Sequence, residues 1–349
     1  RRASSRLDCF SASATVSAAN AQHHAEIVRE KSIQRRLIST AVDIISSCYE
    51  GAQTTEQLLD ASEQAIFSIA DSKATKGLKS SKDIIHNVFE QIEQRMENKE
   101  LVTGVASGYY QFDEMTAGLQ PSDLIIVAGR PSMGKTAFAM NVAMRAAAMS
   151  AVPTAIFSLE MSMEQIMQRM LCCWGKVDLA KLRRARLDDE DWSRLYDAAN
   201  HLSASPIFVD DTPAITTMDL RARCRRLKAE HGLGLIMVDY LQLMRASRHI
   251  DSREQEISDI SRSLKALAKE LHVPVVALSQ LNRKVEERAD KRPMMSDLRE
   301  SGAIEQDADV IIFLYRAAAY KRNVELTPED NVAEIIIGKQ SNGPTGMVK

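Results

Sequence analysis

Residues 129–136 read Gly129-Arg130-Pro131-Ser132-Met133-Gly134-Lys135-Thr136 and satisfy the phosphate-loop pattern G-x-x-x-x-G-K-[ST] at every fixed position. The apolar run 123–128 (DLIIVA) before them reads as a buried strand, and residues 137–149 (AFAMNVAMRAAAM) after them read as a helix. In a strand, loop, helix order the glycines let the backbone fold around an anion. Successive N–H groups point at phosphate oxygens, and the helix N-terminus adds partial positive charge. Lys135 is then expected to reach the β and γ phosphates of a nucleoside triphosphate such as ATP, and the Thr136 hydroxyl to ligate Mg²⁺.

At 349 residues the chain has room for about two domains and a sizeable core. No run approaches the ~18 to 20 continuous apolar residues of a membrane span, so no membrane partner is expected. The basic, serine-rich start is followed by no apolar stretch of the kind a secretory signal needs. Cys9, Cys48, Cys172, Cys173 and Cys224 show no paired metal spacing, which fits a reducing, cytoplasmic home. Formal net charge is −2, so a polyanion would be gripped locally rather than by a global basic field.

Residues 1–17 are small, polar and aperiodic, and disorder is expected there. Residues 18–70 carry two amphipathic helices joined by a short Glu-Gly turn. The first, 18–47, spaces Ile27, Ile33, Leu37, Ala41 and Ile44 at helical intervals, and the second covers 55–70. Residues 71–81 (DSKATKGLKSS) read as a polar linker. A further helix, 82–98, has a narrow stripe of Ile84, Ile85, Val88, Phe89 and Ile92 suited to docking on a neighbour or on its own domain.

From residue 101 to 349 strands alternate with helices. After the loop come apolar runs at 154–159, 206–209, 233–243, 273–278, 309–314 and 332–337, separated by amphipathic stretches such as 163–173, 218–231 and 254–272. This alternation predicts an α/β fold with a mostly parallel sheet between helices and ligands outside the carboxyl ends of the strands. Asp239 ends the run LIMV and is the expected Mg²⁺ partner in a phosphate-loop protein, although a solvated Asp at a strand end is common. Glu160 ends TAIFSL, where it suits a base that deprotonates an attacking water; taken alone, an exposed Glu before a helix is more often just a helix start, and the pattern does not settle the choice. Gln280 ends PVVALS, where an amide can sense the γ-phosphate and report to the polar segment 282–306. That segment reads as a mobile or ordinary surface loop.

Five stretches together resemble the bacterial replicative DNA helicases of the DnaB family: Thr116 to Leu119, the phosphate loop, FSLEM at 157–161, LIMVDYLQLM at 235–244, and 278–309. The resemblance runs from about Ala18 to the end. It implies a RecA-like ATPase whose hydrolysis drives 5′ to 3′ travel on single-stranded DNA and unwinding, in a homohexameric ring at the replication fork, with primase and a helicase loader as partners. It assigns Glu160 as catalytic base, Arg169 as an arginine near the γ-phosphate and Gln280 as sensor. It also assigns Arg299, Glu300 and Gly302 to the loop whose backbone holds DNA phosphates, and residues 82–98 to a linker helix. Backbone contacts of that kind give DNA binding without sequence preference.

The sequence departs from the family in three places. Only the helical hairpin of the family's amino-terminal domain is present, and the chain stops at Lys349, inside a hairpin expected to enter the last strand, which would leave a bare sheet edge. Where the family has Lys-Gln-Arg, with the arginine reaching a neighbour's nucleotide, this chain has Lys339-Gln340-Ser341. Lys339 keeps a positive charge there, without arginine's planar fork. Nucleotide binding with weakened hydrolysis is therefore expected. Two other readings share the nucleotide site: a RecA-like recombinase, and a nucleotide-binding assembly subunit that joins rings of an intact helicase.

Overall fold

The computed structural model describes residues 21–51, 102–246, 252–320 and 332–349, together with scattered positions between 55 and 93. The expected disordered start and the linker at 71–79 lie outside the described residues. The chain forms two compact units, Arg1–Glu93 and Gln94–Lys349. In the first, α1 covers Ala21–Glu50 and ends at Gly51, whose φ of +59° suits a helix stop that other residues adopt at a cost. Described residues from Thr55 to Ile69 and from Ser81 to Glu93 are helical, in keeping with the two further helices read from periodicity. Several apolar residues of α1, among them Val28, Ile38 and Val42, are exposed.

The second unit is built on one eight-stranded sheet. A short helix, α2 (Tyr110–Thr116), precedes β1 (Leu124–Gly129), α3 (Lys135–Ser150) and β2 (Thr154–Ser158). Then come α4 (Met163–Trp174), α5 (Leu179–Arg183), α6 (Asp189–Ser203), β3 (Ile207–Asp210), α7 (Thr217–His231) and β4 (Leu235–Asp239). The chain continues through α8 (Arg253–Leu271), β5 (Val275–Gln280), α9 (Gly302–Asp307), β6 (Val310–Arg316), β7 (Ala333–Gln340) and β8 (Gly346–Val348). The strands lie in the order β3-β2-β4-β5-β1-β6-β7-β8; β1 to β6 pair in parallel, and β7 and β8 close one edge as an antiparallel hairpin.

Each parallel strand is an uninterrupted apolar run because both faces of the sheet are covered. Leu124, Ile126 and Ala128 of β1 point into a core shared with Leu220 of α7 and Ile260 and Leu264 of α8. Ile125 and Val127 point to the other side, against Met140 and Ala143 of α3 and Ile166 and Met170 of α4. All seven expected strands are present, and the sheet is of the expected mostly parallel kind.

Three details differ from the sequence expectation. The run 233–243 yields a strand only over Leu235–Asp239, and Leu241–Leu243 turn into a 3₁₀ helix with Leu241 buried. The chain does enter a last strand: β8 pairs Val348 with Ile335 and Gly346 with Ile337. The segment 282–306 is more ordered in secondary structure than a surface loop. It folds into 3₁₀ turns at Arg283–Glu287 and Met295–Ser301, followed by α9, and Val285, Leu298 and Ile304 are buried in the core beneath it.

Candidate active site

The phosphate loop lies between the carboxyl end of β1 and the N-terminus of α3, at the edge where parallel α/β sheets place ligands. Ser132 (φ +67°) and Gly134 (φ +92°) both take left-handed conformations, which turn the backbone into a concave anion nest. A Cβ added to Gly134 would meet nothing within 4 Å, so glycine is required there by its dihedral rather than by crowding. The Lys135 ammonium donates to the carbonyl oxygen of Arg130 at 3.1 Å, which holds it across the loop. Burial pulls the Lys135 ammonium down in pKa, while the Asp239 and Glu160 carboxylates pull it back up.

Asp239 closes β4, in register with Ser158 of β2, and is 2% exposed. Burial pushes its carboxyl up in pKa. A hydrogen bond from the Thr136 hydroxyl opposes that, as do the charges of Lys135 and Arg169. Its Oδ2 is buried with no hydrogen-bond partner. An orphaned carboxylate oxygen beside a phosphate-loop threonine fits a cation as its partner, because an unpaired buried charge is otherwise expensive. Among the described residues no cluster of three or more His, Cys, Asp or Glu could hold a metal alone. Mg²⁺ commonly binds through one or two protein oxygens plus substrate phosphates, so the Thr136 and Asp239 pair is a sufficient donor set.

Glu160 is exposed just beyond β2, and the turn that presents it is tightened by Ser158, whose hydroxyl donates to the Met161 carbonyl at 2.7 Å. Its charge is felt by both Lys135 and Asp239. Arg169 projects from α4, whose N-cap Ser162 accepts from the Gln165 N–H. The Arg169 Nε is buried without a hydrogen-bond partner. Gln280 closes β5 directly opposite Gly129 and is exposed. The structure thus brings Lys135, Thr136, Asp239, Glu160, Arg169 and Gln280 to one edge of the sheet.

Three residues that sequence reasoning passed over also belong to this edge. Gln242 donates to the Ser279 hydroxyl at 2.9 Å and accepts from the Gln280 N–H at 3.3 Å, fixing the backbone of the expected sensor. It sits within the stretch LIMVDYLQLM, so its position was visible although its partner was not. Tyr109 and Phe138 stack with ring centroids 5.3 Å apart. They line a cavity of about 870 Å³ beside Met133 and Gly134, with Leu314 and Ile335 on its other wall.

Arg299 and Glu300 lie in the 3₁₀ turn Met295–Ser301, and Gly302 opens α9; their side chains lie outside the described residues. Lys339 is not brought to the phosphate loop. It pairs with Ile311 at the start of β6, the opposite end of the parallel strands. Its ammonium donates to the carbonyls of Glu305 and Ala308, each at 2.7 Å, at the end of α9. Within one chain it is a helix cap, and contact with a nucleotide requires a second copy. Ser341 follows β7, and its N–H and hydroxyl both donate to the Asp309 carbonyl, at 2.9 and 3.2 Å.

Residues 104–349 match the family model of the DnaB-like helicase C-terminal domain. The chain is 51% identical over 338 residues to the replicative DNA helicase DnaC of Bacillus subtilis (strain 168), spanning 97% of this chain and 74% of that protein. It is 50% identical over 339 residues to the replicative DNA helicase DnaB of Geobacillus stearothermophilus, with the same coverage. Among solved structures, one ATPase domain is similar at a TM-score of 0.73 and 39% identity, over 78% of this chain and 95% of that one. A structure of a DnaB-like replicative helicase and its interactions with primase is similar at a TM-score of 0.78 and 36% identity, over 95% of this chain and 77% of that one. These relatives favour neither a recombinase nor a bare assembly subunit. A phosphate loop, its partner acid and a RecA-like sheet carried at half identity over nearly the whole length place the chain in the family of replicative DNA helicases, which are ATP-dependent motors.

Proposed function

We propose that the nucleotide edge of this sheet is the hydrolytic engine of a ring-forming helicase that moves 5′ to 3′ on single-stranded DNA. The observation that carries the site assignment is the orphaned Asp239 carboxylate oxygen next to Thr136 and Lys135. The nest of Gly129 to Thr136 binds the phosphates, and Lys135 exchanges the Arg130 carbonyl for a phosphate oxygen. Mg²⁺, held by Thr136 and Asp239, neutralises phosphate charge when bound. Glu160 accepts a proton from the attacking water at its carboxylate, and Arg169 stabilises the charge on the γ-phosphate. The Tyr109 and Phe138 wall takes the base, and Gln280 reads whether the γ-phosphate is present.

Arg299, Glu300 and Gly302 offer backbone N–H groups to DNA phosphates, which gives salt-sensitive binding without sequence preference. Six copies form the ring, Lys339 sits at the boundary between copies, and the helix of residues 82–98 links one motor to the next. The helical hairpin of residues 18–70 is the surface offered to primase, and a similar DnaB-like replicative helicase is known from a structure that addresses its interactions with primase. A helicase loader completes the partners, and the work is done in the cytoplasm at the fork. Among the described residues no helix is long and apolar enough to cross a membrane.

Calorimetric titration of ATP with and without Mg²⁺ tests the engine directly. Binding that needs Mg²⁺ and is lost in Lys135→Ala supports it. Mg²⁺-independent binding that survives Lys135→Ala refutes it.

A further inference from the structure

Arg130 stands at the second position of the phosphate loop, and its two ends belong to different machines. Its carbonyl oxygen receives the Lys135 ammonium at 3.1 Å and the Met133 N–H at 3.4 Å. Its side chain runs the other way and is buried, with the residue 7% exposed. There Nε donates to Glu286 Oε1 at 2.7 Å, and Nη1 donates to the Leu281 carbonyl at 2.9 Å. A buried guanidinium is costly unless paired. Both of these partners come from the segment that follows Gln280.

That segment leads to the expected DNA contacts. Glu286 lies in the turn Arg283–Glu287, seated by the fully buried Val285. Two residues on, Arg288 pairs with Asp297 at 2.7 Å, and Asp297 also accepts the Met294 N–H at 2.8 Å. Asp297 belongs to the turn Met295–Ser301 that carries Arg299 and Glu300 and runs into Gly302. A cavity of about 390 Å³ between Arg130, Gln280, Asn282 and Leu298 leaves room for this segment to shift against the loop. A phosphate that draws the Lys135 ammonium pulls on its bond to the carbonyl of the same residue whose guanidinium holds Glu286.

We propose that the Arg130–Glu286 ion pair is a positioning pair that couples nucleotide occupancy of the phosphate loop to the DNA-contacting turn at residues 295–302. The pair touches neither the reacting phosphate nor DNA through Glu286. It sets where the segment lies when the loop is filled, and by reciprocity DNA on the turn alters the affinity of the loop for nucleotide. This inference rests on the proposal that residues 299–302 contact single-stranded DNA.

The test measures binding of fluorescein-labelled oligo(dT) by anisotropy, with and without Mg²⁺ and the non-hydrolysable analogue AMP-PNP. It compares the full chain with Glu286→Gln and Glu286→Asp. In the native chain the analogue is expected to change the Kd for oligo(dT) by about fivefold or more, the lower end of ordinary allosteric coupling. Glu286→Gln is expected to bring that ratio below about twofold while the Kd for AMP-PNP alone stays at the native value; Tm is expected to fall modestly, because Gln keeps a hydrogen-bond acceptor for the buried Arg130 guanidinium but not the charge. Glu286→Asp, which keeps the charge, is expected to retain part of the ratio. A Glu286→Gln chain that keeps the native ratio overturns the coupling role while the DNA reading stands. A fall in Tm and AMP-PNP affinity with the ratio intact makes the pair merely structural and overturns it too. A native chain that does not bind oligo(dT) removes the DNA reading itself, and this inference with it.

Discussion

The Lys135 ammonium lies 3.1 Å from the carbonyl oxygen of Arg130, so the lysine that meets phosphate is parked on its own loop. Parking it there preserves one hydrogen bond for a buried cation and leaves that bond available for exchange. Lys135→Met removes the charge and keeps the stem. A charge-assisted hydrogen bond is worth about 1.5 to 3 kcal/mol, so ATP affinity is expected to fall roughly tenfold to hundredfold. Fluorescence titration with a labelled ATP analogue reads this; an unchanged Kd would place the phosphates elsewhere.

Asp239→Asn separates the cost of the site from its use. In the folded chain burial raises the Asp239 pKa above its unfolded value, so ionising it in place opposes folding at any pH above that range. The penalty vanishes in acid below the ordinary carboxylate value of about 3.9, where both states are protonated. Without nucleotide, Asp239→Asn is therefore expected to raise Tm at pH 7 and to lose that advantage near pH 4. With nucleotide it is expected to lose Mg²⁺-dependent stabilisation. A variant with lower Tm at pH 7 would mean that the buried carboxylate is already well paired.

Lys339→Met tests the helix-cap role. Removing an ammonium that bonds the terminal carbonyls of α9 is expected to cost about 1 to 2 kcal/mol, a Tm decrease of a few degrees in a unit of this size. Thermal melting in the absence of nucleotide checks it. An unchanged Tm would leave contact with a second copy as the sole role of the residue.

The parts of this molecule that could be read from sequence are those whose physics is local. The strand at 124–129 is a continuous apolar run ended by glycine, and its neighbours are equally uninterrupted because both faces of the sheet are covered. Asp239 and Gln280 could be placed because each ends such a run. The segment 282–306 looked like a loop because its buried residues, Val285, Leu298 and Ile304, are too far apart for any helical or strand period. Its order comes from tertiary anchoring and from ion pairs such as Arg288–Asp297. The helix Asp189–Ser203 escaped notice for a related reason, since only Asp191, Leu195, Ala198 and Leu202 are buried on a largely charged surface. The three-residue strand β8 exists by pairing with β7, which no short run of sequence declares. The second role of Arg130 was hidden because its partner lies 156 residues away.

Ser341 holds the most informative measurement. Its N–H and hydroxyl both bond the Asp309 carbonyl, and no cation stands at that position to reach a neighbouring nucleotide. An arginine that neutralises transition-state charge is worth roughly 10³ or more in rate. The measurement is Mg²⁺-dependent ATP hydrolysis, with and without oligo(dT), for this chain and Ser341→Arg side by side. The expected result is ATP binding by both, weak turnover by the native chain, and DNA-stimulated turnover in Ser341→Arg at least about tenfold higher. Two inert proteins that still bind ATP, with or without DNA, would contradict the assignment of this edge as the engine of a DNA helicase.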